Sequence, residues 1–397
     1  MSQIFKLLFC IVLFLSSSML RAQTLSSQAE IRVMTLGPSQ EELYTAFGHS
    51  AFRVTDPVRK YDIVFDYGRF SFKQENFYVN FARGIMLYKL GLAPYEDFLA
   101  YYKRKNRFVY EQVLDLTQEE KQAVFNYLRN NSKPENVNYL YNYVYDNCAT
   151  KIKDVLRASL GDKISFDTSY VEPGLTFREL MDRYSEYQYW GDLGIDAGLG
   201  MRVDQAAKGE EYMFLPDYVF RSMAKSTLSD TSGTRPLVLR TEKVFEAKPE
   251  TYETPILTPF NFFTLLFLVV GFITNINFKK RKRSGWVDVL VFGVTGLAGW
   301  FLLFLWFGTA HMSQWNLNIL WALPTHLIAV FLLRKEKYRP LLKQYFRYTS
   351  LLYVLLIVVW GFLPQPIHPS LVPFVLMLTL RGFYLAYDFR RPLRTPS

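Results

Sequence analysis

The hydropathy of this chain changes abruptly near residue 258, and this change constrains the fold more than any other sequence feature. Residues 23–257 are polar and mixed, whereas residues 258–397 consist mostly of apolar runs. A transmembrane helix needs about 20 predominantly apolar residues. Five runs approach that length, at 260–278, 286–308, 317–333, 349–363 and 369–387. We therefore predict an N-terminal globular domain followed by an all-α transmembrane bundle of about five helices.

The basic residues indicate how such a bundle is oriented. The loops 279–285 and 334–348 and the tail 389–397 are basic, whereas the loops 309–316 and 364–368 contain no Lys or Arg. Cytoplasmic loops carry the excess of Lys and Arg, so the C-terminus is predicted to be cytoplasmic and the globular domain to lie outside. Because the basic residues flank apolar runs, topology explains the net charge of +10, and no nucleic-acid partner is expected.

The N-terminal segment supports export of the globular domain. Lys6 precedes an apolar run, and small residues lead to Ala22, which is the layout of a secretory signal peptide. An uncleaved anchor helix is the alternative. The predicted organisation is a signal peptide at 1–22, an exported domain at 23–240, a linker at 241–258, the bundle at 259–388 and a basic cytoplasmic tail at 389–397.

Apolar residues with a period of two predict strands in the exported domain. Residues 50–54 and 61–65 alternate around a turn that contains Pro57, which is typical of a β-hairpin. Residues 107–115 alternate in the same way and predict a further strand.

Capping signals predict two helices between and after these strands. Thr117 and Glu120 form a capping box that begins a helix extending to about Asn130. A second helix is predicted from Cys148 to Leu160, because Gly161 follows its last apolar residue. Strands and helices together predict an α+β domain.

The exported domain contains one cysteine and one histidine. Cys10 lies in the signal segment, so Cys148 has no disulfide partner within the exported chain, and His49 is the only domain histidine. Asn147 is a good N-cap, and a helix N-terminus stabilises a thiolate and offers N–H groups to an oxyanion. Asn147 is therefore assigned to the cap and the oxyanion-binding helix start. The alternative is that Cys148 is an unreactive buried side chain.

A third polar residue usually orients a thiolate–imidazole pair. If the hairpin turns near Val58, the residue opposite His49 lies near Tyr67, so Asp66 and Tyr67 are the nearest candidates. A slip of one residue exchanges the two faces of a strand, so the sequence does not choose between them. The alternative is that these residues are only a strand end.

Four polar residues near the bundle are candidates for membrane-side substrate contacts. His311, Asn316 and Asn318 form a polar cluster beside the third run, or else an ordinary solvated loop. His326 falls inside that run, where an ionisable group is either functional or a neutral imidazole bonded within the bundle. No spacing of metal ligands occurs, and no metal or other cofactor is expected.

Two motifs resemble those of a known group of enzymes. GHSAFRV at 48–54 and NCATKIKDVL at 147–156 are similar to the histidine and cysteine motifs of circularly permuted papain-like or NlpC/P60-like domains, which include the lecithin:retinol acyltransferase-like enzymes. In that group the histidine precedes the cysteine, as it does here. The whole chain more specifically resembles the Lnb-type bacterial lipoprotein N-acyltransferases.

This resemblance implies a reaction and a location. The reaction moves a fatty acyl chain from a phospholipid, through a thioester on Cys148, to the N-terminal amine of a diacylated lipoprotein, with His49 as general base. The location is the bacterial inner membrane, with the N-terminal domain in the periplasm. Two alternatives remain: a periplasmic Cys–His amidase or phospholipase, and a non-enzymatic membrane scaffold.

Overall fold

The computed structural model of the protein describes residues 24–71, 73–231 and 233–391. The predicted signal peptide with Cys10 lies outside these residues, as does most of the predicted basic tail. The described residues form an N-terminal α+β domain followed by a C-terminal helical bundle, as predicted.

A seven-stranded antiparallel sheet organises the N-terminal domain. The strands of the domain, over both of its sheets, are β1 (Glu30–Leu36), β2 (His49–Asp56), β3 (Tyr61–Arg69), β4 (Leu87–Pro94), β5 (Val109–Leu114), β6 (Asn138–Leu140), β7 (Ile164–Ser165), β8 (Thr227–Asp230), β9 (Gly233–Pro236) and β10 (Val238–Phe245). The large sheet has the order β10-β5-β1-β2-β3-β4-β6, and β7, β8 and β9 form a second small sheet.

The predicted hairpin is confirmed as β2 and β3. A short 3₁₀ turn over Pro57–Arg59 joins them, and the Asp56 side chain accepts a hydrogen bond from the Arg59 N–H at 3.2 Å. Lys60 completes the turn with a φ of 52°. The strand predicted at 107–115 is also confirmed, as β5.

The predicted linker begins too early. Residues 241–245 belong to β10, where Thr241 pairs with Gln112 of β5. The strand continues because β5 would otherwise expose its unpaired backbone groups at the sheet edge. The connection to the bundle therefore starts after Phe245.

Both predicted helices of the domain are confirmed. The domain helices are α1 (Phe77–Ala82), α2 (Tyr95–Arg104), α3 (Gln118–Asn131), α4 (Cys148–Leu160), α5 (Phe177–Ser185), α6 (Tyr189–Gly198) and α7 (Pro216–Lys225). The capping box of Thr117 and Glu120 precedes α3, and α4 begins at Cys148 and ends at Leu160.

Helix α4 packs against the large sheet. Its residues Ile152, Val155 and Leu156 are buried in one core with Phe52 of β2 and Phe65 of β3. Complete burial of such side chains contributes about 1.5–3 kcal/mol each. The apolar contact therefore fixes the first turn of α4 beside the start of β2.

Four helices of the bundle are long and apolar enough to cross a membrane. They are α8 (Pro259–Lys280), α9 (Gly285–Gly308), α11 (Arg339–Val359) and α12 (Val372–Asp388), with a shorter helix α10 (Thr325–Leu332) between α9 and α11. Helix α11 starts ten residues before the predicted run at 349, inside the segment expected to be a basic loop.

The third predicted span, 317–333, is not one continuous helix. It consists of a 3₁₀ turn over Leu317–Leu320 and the eight-residue α10, with Pro324 between them. Proline lacks an N–H and disfavours helical geometry in the residue before it, so the helix is interrupted there. The bundle thus has four long helices and one short, broken segment.

The loops of the bundle separate into two ends. At one end, Arg283 donates to the carbonyl of Leu333 at 3.2 Å and Arg339 to that of Asp388 at 3.2 Å, so the basic loops lie together. At the other end, the loops 309–316 and 363–368 contact the N-terminal domain. This arrangement agrees with the predicted alternation of basic and non-basic loops.

Helix α6 joins the domain to the bundle. The side chains of Asn316, Asn318 and Gln365 donate hydrogen bonds to the carbonyls of Ala197, Asp196 and Leu199 at 2.8–2.9 Å. The last carbonyls of a helix lack partners within the helix, and these amides supply them.

A buried ion pair lies near the basic end of the bundle. Arg381 of α12 donates to Asp288 of α9 at 2.7 Å and to Asn277 of α8 at 2.9 Å. Both members of the pair are fully buried. Removal of one member leaves an uncompensated buried charge, so the pair ties three helices together.

The substitution Asp288→Ala is expected to destabilise the protein by about 3–5 kcal/mol, because Arg381 loses its counter-ion. Denaturant unfolding of the full chain in detergent measures the change. The control is Glu336→Ala, an exposed carboxylate in a basic loop, expected to change stability by less than about 0.5 kcal/mol. Equal losses in both variants would contradict the structural role of the pair.

Candidate active site

Cys148 is the first residue of α4 and sits behind a complete helix cap. The Asn147 side-chain oxygen accepts hydrogen bonds from the N–H groups of Ala149 and Thr150 at 2.8 and 3.0 Å. The Thr150 hydroxyl accepts one from the Asn147 N–H at 2.8 Å. This cap fixes the helix start and leaves the positive end of the helix dipole at the thiol.

The Asn147 side chain is not free to bind an oxyanion. Its amide nitrogen donates to the carbonyls of Tyr143 and Phe214 at 2.9 and 2.8 Å. Both of its amide protons hold the loop, so an oxyanion at this helix start would be bound by backbone N–H groups, and that role stays a prediction. The backbone N–H of Cys148 has no hydrogen-bond partner among the described residues and is the available donor.

His49 opens β2 and contacts the thiol. Cys148 lies beside the His49 ring and the backbone N–H of Ser50, and both interact with its sulfur to lower its pKa. The His49 Nε2 atom lies 2.5 Å from Asp66 Oδ1. The structure thus brings Cys148, His49 and Asp66 together in one row.

The register of the hairpin separates Asp66 from Tyr67. Phe52 pairs with Phe65, and continuing this register places Gly68 opposite His49. Asp66 lies two residues before Gly68 and shares the face of His49, because side chains alternate along a strand. Tyr67 points into the core, where its hydroxyl accepts a hydrogen bond from Asn131 at 2.8 Å.

Arg69 completes the row and was not identified from the sequence. Its Nε donates to Asp66 Oδ2 at 2.5 Å. The pairing of β3 with β4 is irregular between Asp66 and Arg69, so a simple alternation of faces does not predict this contact. The Asp66 carboxylate therefore lies between His49 and a guanidinium.

The charged groups of the site shift one another's pKa values. Burial alone would lower the pKa of His49, but the thiolate of Cys148 and the carboxylate of Asp66 outweigh it and raise that pKa to about 10. Burial likewise opposes the thiolate, yet the His49 cation and the Ser50 N–H lower the pKa of Cys148. For Asp66, His49 and Arg69 outweigh burial and lower the pKa. The charged form of each group therefore favours the charged form of its neighbour, and the site stabilises a thiolate–imidazolium pair.

Gly68 keeps the approach to this pair open. Its φ is 96°, and a Cβ atom there would lie 3.6 Å from Cys148 Cβ and 3.8 Å from His49 Cε1. Beside it is a cleft of about 630 Å³, with His49, Asp66 and Arg69 in its lining. This volume is typical of a small-molecule site.

The residues predicted as membrane-side substrate contacts lie elsewhere and have structural partners. His311 bonds to the Phe81 carbonyl at 2.9 Å, and Asn316 and Asn318 are buried in the joint with α6. His326 is fully buried, with Tyr353 and Tyr345 hydroxyls on its two ring nitrogens at 2.5 and 2.9 Å. The polar groups of the two asparagines and His326 thus have partners within the protein, and their contact with substrate stays a prediction.

No group of three or more His, Cys, Asp or Glu side chains that could hold a metal ion occurs in residues 24–71, 73–231 and 233–391.

The pH dependence of Cys148 alkylation tests the ion pair. In a Cys10→Ser background, the rate with iodoacetamide is expected to decline on acidification only below the usual thiol range, because His49 and the Ser50 N–H lower the pKa of Cys148. His49→Ala removes the cation, so the thiol pKa rises and the rate at pH 7 falls at least about 10-fold. His311→Ala is the control and keeps the wild-type profile. Identical profiles for His49→Ala and wild type would refute the pair.

A matched pair of substitutions distinguishes Asp66 from Tyr67. Asp66→Asn removes the carboxylate that stabilises the imidazolium, so the pKa of His49 is expected to fall from about 10 by at least about one pH unit. Tyr67→Phe leaves that pKa unchanged and costs about 1 kcal/mol of stability, through the lost bond to Asn131. An NMR titration of labelled histidine measures the pKa, and a larger change in Tyr67→Phe would reverse the assignment.

Comparison with known proteins agrees with this two-part architecture. The family model described as the Lnb N-terminal periplasmic domain matches residues 20–183, and the model of the Lnb transmembrane domain matches residues 251–391. No curated protein and no solved structure matches the chain. The two matches make it a membrane protein with a periplasmic N-terminal domain. The chain therefore belongs to the Lnb family, whose domains indicate a membrane enzyme that modifies lipoproteins.

Proposed function

We propose that the protein transfers a fatty acyl chain from a phospholipid, through a thioester on Cys148, to the N-terminal α-amine of a diacylated lipoprotein. The observation that carries this proposal is the row of Cys148, His49 and Asp66 at a capped helix start, in a domain fastened to a membrane bundle. Family membership supports the class of substrate.

The first half of the reaction forms the thioester. The Cys148 thiolate attacks the ester carbonyl of the phospholipid, and the Cys148 N–H at the positive end of α4 stabilises the resulting oxyanion. The imidazolium of His49 then gives its proton to the departing glycerol oxygen. A lysophospholipid leaves, and the acyl chain remains on sulfur.

The second half moves the chain to nitrogen. The lipoprotein amine attacks the thioester, and the now neutral His49 takes the amine proton. Collapse of the intermediate breaks the carbon–sulfur bond, forms the amide and restores the thiolate. Asp66 acts as a positioning residue, because it holds the ring through Nε2.

The position of the domain supports a membrane-embedded donor and acceptor. Helix α6 is bonded to Asn316 and Asn318 at the end of the bundle that lacks basic loops, so we also propose that this end is periplasmic and that the C-terminus is cytoplasmic in the bacterial inner membrane. Confinement of enzyme and both lipids to one surface raises their effective concentration.

Acylation of Cys148 is the direct test. Full-length protein incubated with phospholipid alone is expected to carry an acyl chain that hydroxylamine releases, and addition of a diacylated lipopeptide to yield triacylated product. Cys148→Ala loses both without loss of folding, whereas Asp154→Asn, on the exposed side of the same helix, retains both. Release of free fatty acid with no triacylated product would instead identify a hydrolase, and full activity in both variants would end the thioester mechanism.

A further inference from the structure

The cleft beside Cys148 and His49 contains a buried arginine that lacks a counter-ion. Arg107 lines the cleft and is only 5% exposed. Its Nε donates to the Gly37 carbonyl at 2.5 Å, and its guanidinium lies over the Tyr102 ring, 4.8 Å from the centroid. Its Nη2 has no hydrogen-bond partner, and no carboxylate among the described residues forms an ion pair with it. A buried guanidinium in this state favours an anionic ligand.

The other charged groups of the cleft do not form an ion pair with Arg107. The carboxylate of Asp66 already serves His49 and Arg69. Asp97 is the other carboxylate in the lining, and it forms no ion pair with Arg107 among the described residues. Arg69 is about half exposed and bonds Asp66 through Nε, which leaves its outer nitrogens toward solvent.

The rim of the cleft is apolar and exposed. Tyr44, Leu92 and Tyr101 border it, with exposed fractions of 65%, 53% and 44%. Cations within a cleft and exposed apolar side chains at its rim suit an amphiphile with an anionic head.

Both sides of the cleft contact elements at the membrane bundle. On one side, Leu43 lies against Gly191 of α6, and the adjacent Trp190 donates to the Leu257 carbonyl at 3.0 Å, just before α8. On the other side, the ring of Phe70 is followed by those of Phe77 and Phe81, and the Phe81 carbonyl bonds to His311. The cleft therefore lies within reach of the bilayer surface.

We propose that this cleft binds the phosphodiester of a glycerophospholipid, with Arg107 and the outer nitrogens of Arg69 as its cationic ligands. Guanidinium groups suit this anion because their paired N–H groups match two phosphate oxygens. The inference rests on the proposed function, since it makes the bound lipid the acyl donor. With the headgroup so held, the ester carbonyls lie toward Cys148 and the acyl chains toward the apolar rim.

Protection of Cys148 from iodoacetamide measures occupancy of the cleft without acyl transfer. The probe is a short-chain dialkyl ether phosphatidylglycerol, which cannot acylate the thiol, and its control is the dialkylglycerol without phosphate. Full-length Cys10→Ser protein in neutral detergent is expected to be protected by the phospholipid at a concentration at least about 10-fold lower than by the dialkylglycerol. Equal protection by the two lipids would overturn the proposal, and so would protection by inorganic phosphate at the same concentration as the phospholipid.

Two arginine variants locate the effect. Arg107→Gln keeps a donor for the Gly37 carbonyl but removes the charge, and is expected to raise the half-protecting phospholipid concentration at least about 10-fold. Arg104→Gln, an exposed neighbour outside the cleft lining, leaves it unchanged. Equal values for Arg107→Gln and wild type would overturn the site. If Arg107→Gln does not fold, the comparison of the two lipids on wild-type protein still tests whether the cleft binds the headgroup.

Failure of this inference is separable from failure of the proposed function. Phosphate-dependent protection in a protein that never forms triacylated lipopeptide would retain the headgroup site and remove the transferase. Acyl transfer with equal protection by both lipids would retain the transferase and remove the headgroup site.

Discussion

The contact between the Cys148 thiolate and the His49 imidazolium is the interaction on which the rest of the site depends. Burial disfavours both charges, so the pair depends on neighbouring groups that compensate for the lost hydration of the two side chains. Asp66 supports the cation, while the Ser50 N–H and the start of α4 support the anion. Each of these groups is held in place by the sheet or by the Asn147 cap, so the regular elements of the domain position this one contact.

The joint between the domain and the bundle is the second constraint. Asn316, Asn318 and Gln365 donate hydrogen bonds to the final carbonyls of α6 and so link the domain to the bundle. Such polar side chains at the edge of a membrane segment resemble a substrate site in the sequence. In the structure they bond the end of α6, because a helix end buried against another element must find hydrogen-bond partners.

Local patterns predicted much of the fold because they depend on neighbouring residues. The bounds of α4, the capping box of α3 and the β2–β3 hairpin follow from caps, turns and periodicity within a few positions. The predicted start of the linker at 241 and the predicted continuity of the third span differ from the structure for opposite reasons. Pairing with β5 extended a strand that has no local signal, and Pro324 interrupted a run that hydropathy alone treats as continuous.

The sequence alone determined the two-part architecture, the alternation of basic loops and the choice of Cys148 and His49, since hydropathy, charge and the scarcity of these two residue types need no coordinates. Only the tertiary structure decided that Asp66 rather than Tyr67 meets His49, that Arg69 joins it, and that Arg107 lies in the same cleft unpaired. Strand register and a bulge decide which face a side chain occupies, and a shift of one residue reverses it. Arg107 is distant in sequence from Cys148, and only the packing of α2 and β5 against the sheet brings the two into one site.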